Sequence, residues 1–164
     1  MPFNLLKTYN QLLDFLGMSE VQRTNSLLGV FRRDIETNTA FNFRGKKINP
    51  IHGKSPEMET LFTHLTGEIV DKKERRREYE KNRCERLHWI KNHTEERCPA
   101  LQVFSVEDTD GERTYIYNEV EQYIVVLAPY RDRREYYLIT AHYLDGRNPD
   151  KMKNKIKRKL DEVL

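Results

Sequence analysis

No stretch of the sequence approaches the ~20 consecutive apolar residues that a membrane-spanning helix needs. The opening MPFNLLKTYNQLLDF is interrupted by Asn, Lys and Gln where a secretory signal would run unbroken. These absences predict a cytoplasmic protein without membrane association. Cysteine is scarce: Cys84 and Cys98 are the only two, too few for a disulfide framework or a four-cysteine zinc site, and both read as reduced and buried. HExxH, CxxC and DxDxDG are missing, and His88 and His93 would diverge by about 140° on a helix. No metal or cofactor is expected. The glycine-rich phosphate loops GxxxxGK[ST] and GxGxxG and the GxSxG elbow of acyl-transfer enzymes are absent too.

An excess of one charge is also lacking. With 29 basic and 26 acidic residues the net charge is +3, too even to imply nucleic-acid binding by itself. What is present is 37% hydrophobic residues with nine Tyr and seven Phe, enough aromatic bulk to argue against disorder. At 164 residues the chain is one domain in size, able to bury roughly 70% of its unfolded surface.

Leu5, Leu6, Tyr9, Leu12, Leu13 and Leu16 recur at helical spacing over residues 3–16, ending at Gly17. Ser19 and Gln22 have capping-box spacing, opening a second helix to about Asp34. The two predict a helical hairpin able to dock a partner. Residues 37–54 read as a loop with one short strand near 41–44 and a cluster of Arg44, Lys46, Lys47, His52 and Lys54. Ser55-Pro56-Glu57 signals a short helix to Thr66. Residues 71–97, free of Gly and Pro and rich in Lys, Arg and Glu, predict the longest helix, strongly basic and largely solvated.

Beyond Pro99 the period changes to two, with runs at 101–106, 113–117, 123–130 and 135–144 joined by connections too short for parallel crossovers. They predict a four-stranded antiparallel meander, followed from Asn148 by a basic helix. The expected fold class is α+β, with residues 1–70 as an accessory support and 71–164 as the functional core. In the last strand, EYYLITAHYL, Tyr137, Ile139, Ala141 and Tyr143 are assigned to the core and Thr140 and His142 to the opposite face.

A sheet flanked by basic helices and carrying His, Arg, Tyr and Thr has the means for metal-independent RNA cleavage. A base takes the ribose 2′-hydroxyl proton, an acid protonates the leaving oxygen and cations stabilise the phosphorane. If Ile116 packs inward, Arg113, Tyr115 and Tyr117 share a face with Thr140 and His142. Of these, Arg113, Tyr115, Thr140 and His142, with His88 in RCERLHWIK, are the five candidate catalytic residues. Arg131, Arg133 and Arg134 before the last strand, Lys46, Lys47 and, on the terminal helix, Lys155 are the candidate RNA-backbone contacts.

The long segment with RCERLHWIKNH, the four strands ending in YYLITAHYL and the basic terminal helix resemble the phage and polymorphic-toxin branch of the barnase, EndoU, colicin and RelE-like (BECR) nuclease superfamily, over roughly residues 72–160. The resemblance implies a toxin domain that cleaves RNA, tRNA among its targets, without metal, and that meets a cognate antitoxin or immunity protein. By motif position it points first to Thr140 and His88. No glutamate stands where a barnase-type base would, so the acid and base stay open between His88 and His142. The alternatives are a catalytically inactive RNA-binding or regulatory module and a protein-interaction module on the same fold.

Overall fold

The structure, a computed structural model, describes residues 3–50, 57–74, 76–146 and 148–164. The Ser55-Pro56 helix signal, His52 and Lys54 lie outside the described residues. The chain is α+β, with helices α1 (Glu20–Phe31), α2 (Glu57–Thr66), α3 (Lys81–Glu85), α4 (Trp89–Thr94) and α5 (Asn148–Lys157). Strands β1 (Asn42–Phe43), β2 (Lys46–Asn49), β5 (Gln102–Asp108), β6 (Gly111–Asn118), β7 (Tyr123–Pro129) and β8 (Tyr136–Tyr143) form one curled, mixed sheet; β3 (Gly67–Asp71) and β4 (Arg76–Tyr79) form a separate hairpin.

The large sheet has six strands rather than four, in the order β1-β2-β8-β7-β6-β5. From β5 to β8 each strand pairs antiparallel with the next. The loop-like KKIN becomes β2, which lies parallel to β8 through Ile48 opposite Tyr136 and Asn49 opposite Tyr137. Both sheet faces are covered. The main core joins Phe31, Leu65, Leu87, Trp89 and Ile90 to Ile116, Val125, Leu127, Leu138 and Ala141. It therefore draws on both sides of the expected boundary near residue 70. A second cluster, with Phe104, Val106, Tyr115, Ile124 and Val126, packs under Met152 of α5.

The capping box forms as read: Gln22 N–H donates to Ser19 Oγ and Ser19 N–H to Gln22 Oε1. The helix expected over 3–16 does not form beyond a single 3-10 turn at Phe3–Leu6. Its backbone is recruited elsewhere: Asn4 bonds the Asp14 backbone in both directions, Trp89 Nε1 donates to Gln11 O and Leu13 N–H to Glu85 O. The segment is a strap laid over α3 and α4, and Leu6 and Leu16, at 76% and 93% exposed, face away from any core. No helical hairpin exists there.

The long helix over 71–97 is also corrected. Helix propensity is a weak prior, and here the Asp71 carboxylate accepts Lys73 N–H and Glu74 N–H, starting a turn that folds β3 back on β4. The Glu80 side chain then caps α3 by accepting from Asn82 N–H and Arg83 N–H. A second break before Trp89 lets Leu87, Trp89 and Ile90 all enter the core. Gly67 is held tightly, since a Cβ there would lie 2.7 Å from Glu78 O. Gly67→Ala should thus destabilise by about 1–3 kcal/mol as the hairpin shifts; urea denaturation measures it, and an unchanged midpoint would contradict the packing.

In β8 the expected alternation is broken by a bulge. Leu127 faces Leu138 but Val126 faces Thr140, leaving Ile139 as the extra residue. Tyr136 and Leu138 enter the main core before it and Ala141 after it, while Ile139 packs on the second cluster. Of the four residues assigned to the core, Ala141 belongs there; Tyr137 and Tyr143 are half-buried.

Candidate functional site

The bulge decides which side chains meet. By reversing the phase of β8 it turns Ile139, Thr140 and His142 all toward α5. There they join Arg113 and Tyr115 of β6 and Asp108 at the end of β5 in a groove of about 360 Å³, closed on one side by Lys151, Met152 and Lys155 of α5. The register sets the order across it: Tyr115 lies opposite Val126, and Val126 opposite Thr140. Four of the five candidate catalytic residues, Arg113, Tyr115, Thr140 and His142, line this one groove.

His88 is the exception. It sits at the start of α4, among residues that pack on the opposite sheet face, buried to 3% with Nε2 3.3 Å from Thr8 O. Burial lowers its pKa. It secures the strap and does not line the groove. Among the candidate RNA contacts only Lys155 lines it. Arg133 makes a two-point ion pair with Glu112 at the same end of the sheet, Arg131 and Arg134 are exposed in the turn beside it, and Lys46 and Lys47 lie on β2 beyond β8.

Asp108 was not visible as a site residue in the sequence, where DTDGE reads only as a turn. It is the hub of the groove. Tyr115 OH donates to it at 2.5 Å, Lys155 Nζ reaches both carboxylate oxygens at 2.9 and 2.8 Å, and Arg158 lies 3.7 Å away. Burial raises the Asp108 pKa, but the Lys155 and Tyr115 hydrogen bonds and the Lys155 and Arg158 charges outweigh it and hold the carboxyl below its ordinary value. Burial, reinforced by the Asp108 hydrogen bond and charge, raises Tyr115, so the phenol keeps its proton. The only sequence signal for this hub is the spacing of Lys155 and Arg158 on one helical face.

His142 is half-buried, and its Nδ1 has no hydrogen-bond partner among the described residues. Burial, aided by the Arg83 cation, lowers its pKa to about 4. The imidazole is therefore neutral at pH 7 and able to accept a proton. Arg113 is half-exposed and Lys151 exposed, leaving cationic groups open at the rim. The groove thus combines a neutral base, a retained phenol proton and positive charge, a set suited to anionic phosphate esters.

A second cluster contains Cys98, His93 and Asn118, residue types that elsewhere form a thiol nucleophile site. Here His93 Nδ1 is 2.7 Å from Trp89 O, which can only accept, so Nδ1 carries the hydrogen. His93 Nε2 accordingly accepts from Asn118 Nδ2 at 3.2 Å. Burial raises the Cys98 pKa and lowers that of His93 to about 4, the reverse of a thiolate–imidazolium pair. With His93 fully buried between Tyr9, Trp89 and Tyr123, this cluster is structural.

No group of His, Cys, Asp and Glu among the described residues could hold a metal ion, and no helix among them is long and apolar enough to cross a membrane. The class established is an α+β protein with a curled, mixed six-stranded sheet and a groove between sheet and terminal helix. No protein-family model matches the chain, and neither curated proteins nor solved structures give a significant match.

Proposed function

We propose that the groove binds RNA and cleaves its backbone by metal-independent transesterification, in the manner of the toxin nucleases that the sequence resembles. The observation that carries this reading is the convergence of Arg113, Tyr115, Thr140 and His142 on one groove. His142 takes the 2′-hydroxyl proton, the 2′-oxygen attacks phosphorus, and Arg113 and Lys151 offset the charge of the phosphorane. Thr140 positions the phosphate, and Tyr115 and Lys155 are the proton donors for the departing 5′-oxygen. The products are a 2′,3′-cyclic phosphate and a 5′-hydroxyl. As a toxin domain the protein would be held in check by a cognate antitoxin or immunity protein.

The test is incubation of the purified protein with total RNA in EDTA. Fragments ending in 2′,3′-cyclic phosphate are expected, with Thr140→Ala about 10-fold to 100-fold slower if its hydroxyl orients the phosphate. RNA left intact by the wild type would sink the nuclease reading.

One observation favours a second reading, an RNA-binding module without cleavage. Asp108 already engages both Lys155 and Tyr115, the groove's two proton donors. That reading predicts RNA retained intact, with an affinity that falls steeply as salt rises.

A further inference from the structure

We infer that the substrate of the groove is single-stranded RNA, with a base flanking the reacting nucleotide stacked on the paired rings of Tyr130 and Tyr137. The inference rests on the RNA-cleaving reading of the groove. The two rings are stacked with centroids 4.2 Å apart and planes 28° from parallel. Each side chain is half-buried and belongs to neither hydrophobic cluster. An aromatic pair already ordered by its own stacking adds little further ordering cost when a base stacks beside it.

The position of the pair ties it to the groove. Tyr137 is two residues before Ile139 on β8, so both point to the same sheet face, and Ile139 lines the groove. The strand rise puts the two side chains roughly 7 Å apart, within reach of adjacent nucleotides of one extended strand. Arg131 and Arg134 are exposed in the same turn, where they can meet flanking phosphates. Arg133 of that turn pairs with Glu112, whose carbonyl accepts from Arg113 of the groove wall. Turn and wall are therefore one connected unit.

The groove also selects by shape. Its volume of about 360 Å³, with Met152 of α5 buried along one side, suits a single splayed nucleotide and not a paired helix. Stacking on aromatic rings is available only to unpaired bases.

Fluorescence anisotropy tests this in EDTA with a 2′-O-methyl oligonucleotide, which lacks the attacking hydroxyl and stays intact, against the blunt duplex of the same sequence. The single strand should bind about tenfold tighter or more, and Tyr130→Leu or Tyr137→Leu should weaken it by about 5-fold to 100-fold. The corresponding Phe variants, which keep the ring, should bind within about twofold of wild type. Equal affinity of the wild type for strand and duplex overturns the inference, as do folded Leu variants that bind the strand unchanged. If a Leu variant does not fold, the wild-type strand preference decides alone. Cleavage of total RNA without any strand preference overturns this inference only, whereas a protein that neither binds nor cleaves RNA overturns the nuclease reading with it.

Discussion

Lowering the pH from 7.5 to 4.5 is expected to remove roughly 2 to 3 kcal/mol of unfolding free energy through His93 alone. His93 is fully buried, and its pKa is lowered from 6.5 to about 4, chiefly by desolvation. Above pH 6.5 the side chain is neutral in both folded and unfolded chains, and the native state keeps its full stability. Between pH 6.5 and about 4 the unfolded chain takes up a proton that the native state refuses, so stability falls with pH. Below about pH 4 both forms are charged and the loss levels off. His142, also lowered to about 4, and His88, lowered by burial, act in the same direction. Against a typical total of about 5–15 kcal/mol, the combined loss is large. Urea denaturation at pH 7.5, 6 and 4.5 measures it, and His93→Gln should be less stable at pH 7.5 yet show a shallower pH dependence. Identical midpoints for the wild type at all three pH values would contradict the buried neutral imidazole.

If the groove cleaves RNA as proposed, His142→Ala should lower the cleavage rate by about 10²-fold to 10⁴-fold, the usual contribution of a positioned general base. Its pKa of about 4 gives the step a distinctive pH dependence. An imidazole of ordinary pKa would be mostly protonated at pH 5, and its rate would be about 30-fold below that at pH 8. The wild-type kcat/KM should instead stay nearly flat from pH 8 to pH 5. Measurements at 20 °C on protein shown to be folded at each pH separate this from acid unfolding. A profile breaking near pH 6.5 would remove His142 as the base. His88→Gln is the contrasting variant: it loosens the strap at Thr8 and should cost stability while leaving the pH profile of cleavage in place.

How much of this was legible in the sequence follows from the range of the forces involved. The strands from Gln102 to Tyr143 announce themselves through a period of two, α2 through its start signal, and the Ser19–Gln22 box through one turn of backbone. Alternation also places Arg113, Tyr115, Thr140 and His142 on one face, but only with Ile139 in the main core. That face arises through the bulge at Ile139, which depends on how β8 fits β7 and cannot be read from the residues of β8 alone. Asp108 gains its role from Lys155, which is 47 residues away. The strap and the β3–β4 hairpin fail as helices for a related reason: Trp89, Glu85 and Gly67 offer contacts that local propensity does not register.

The parallel pairing of β2 with β8 has a kinetic consequence. β5 to β8 close through short local connections, whereas Ile48 must find Tyr136 across most of the intervening chain. Closing so long a loop costs more entropy than closing a hairpin. The β1–β2 hairpin therefore docks after the meander has formed and is the first part of the sheet to detach. Hydrogen exchange should show the amides of β2 opening well before those of β6 and β7, so that β8 becomes an edge strand while the groove on its face is still intact.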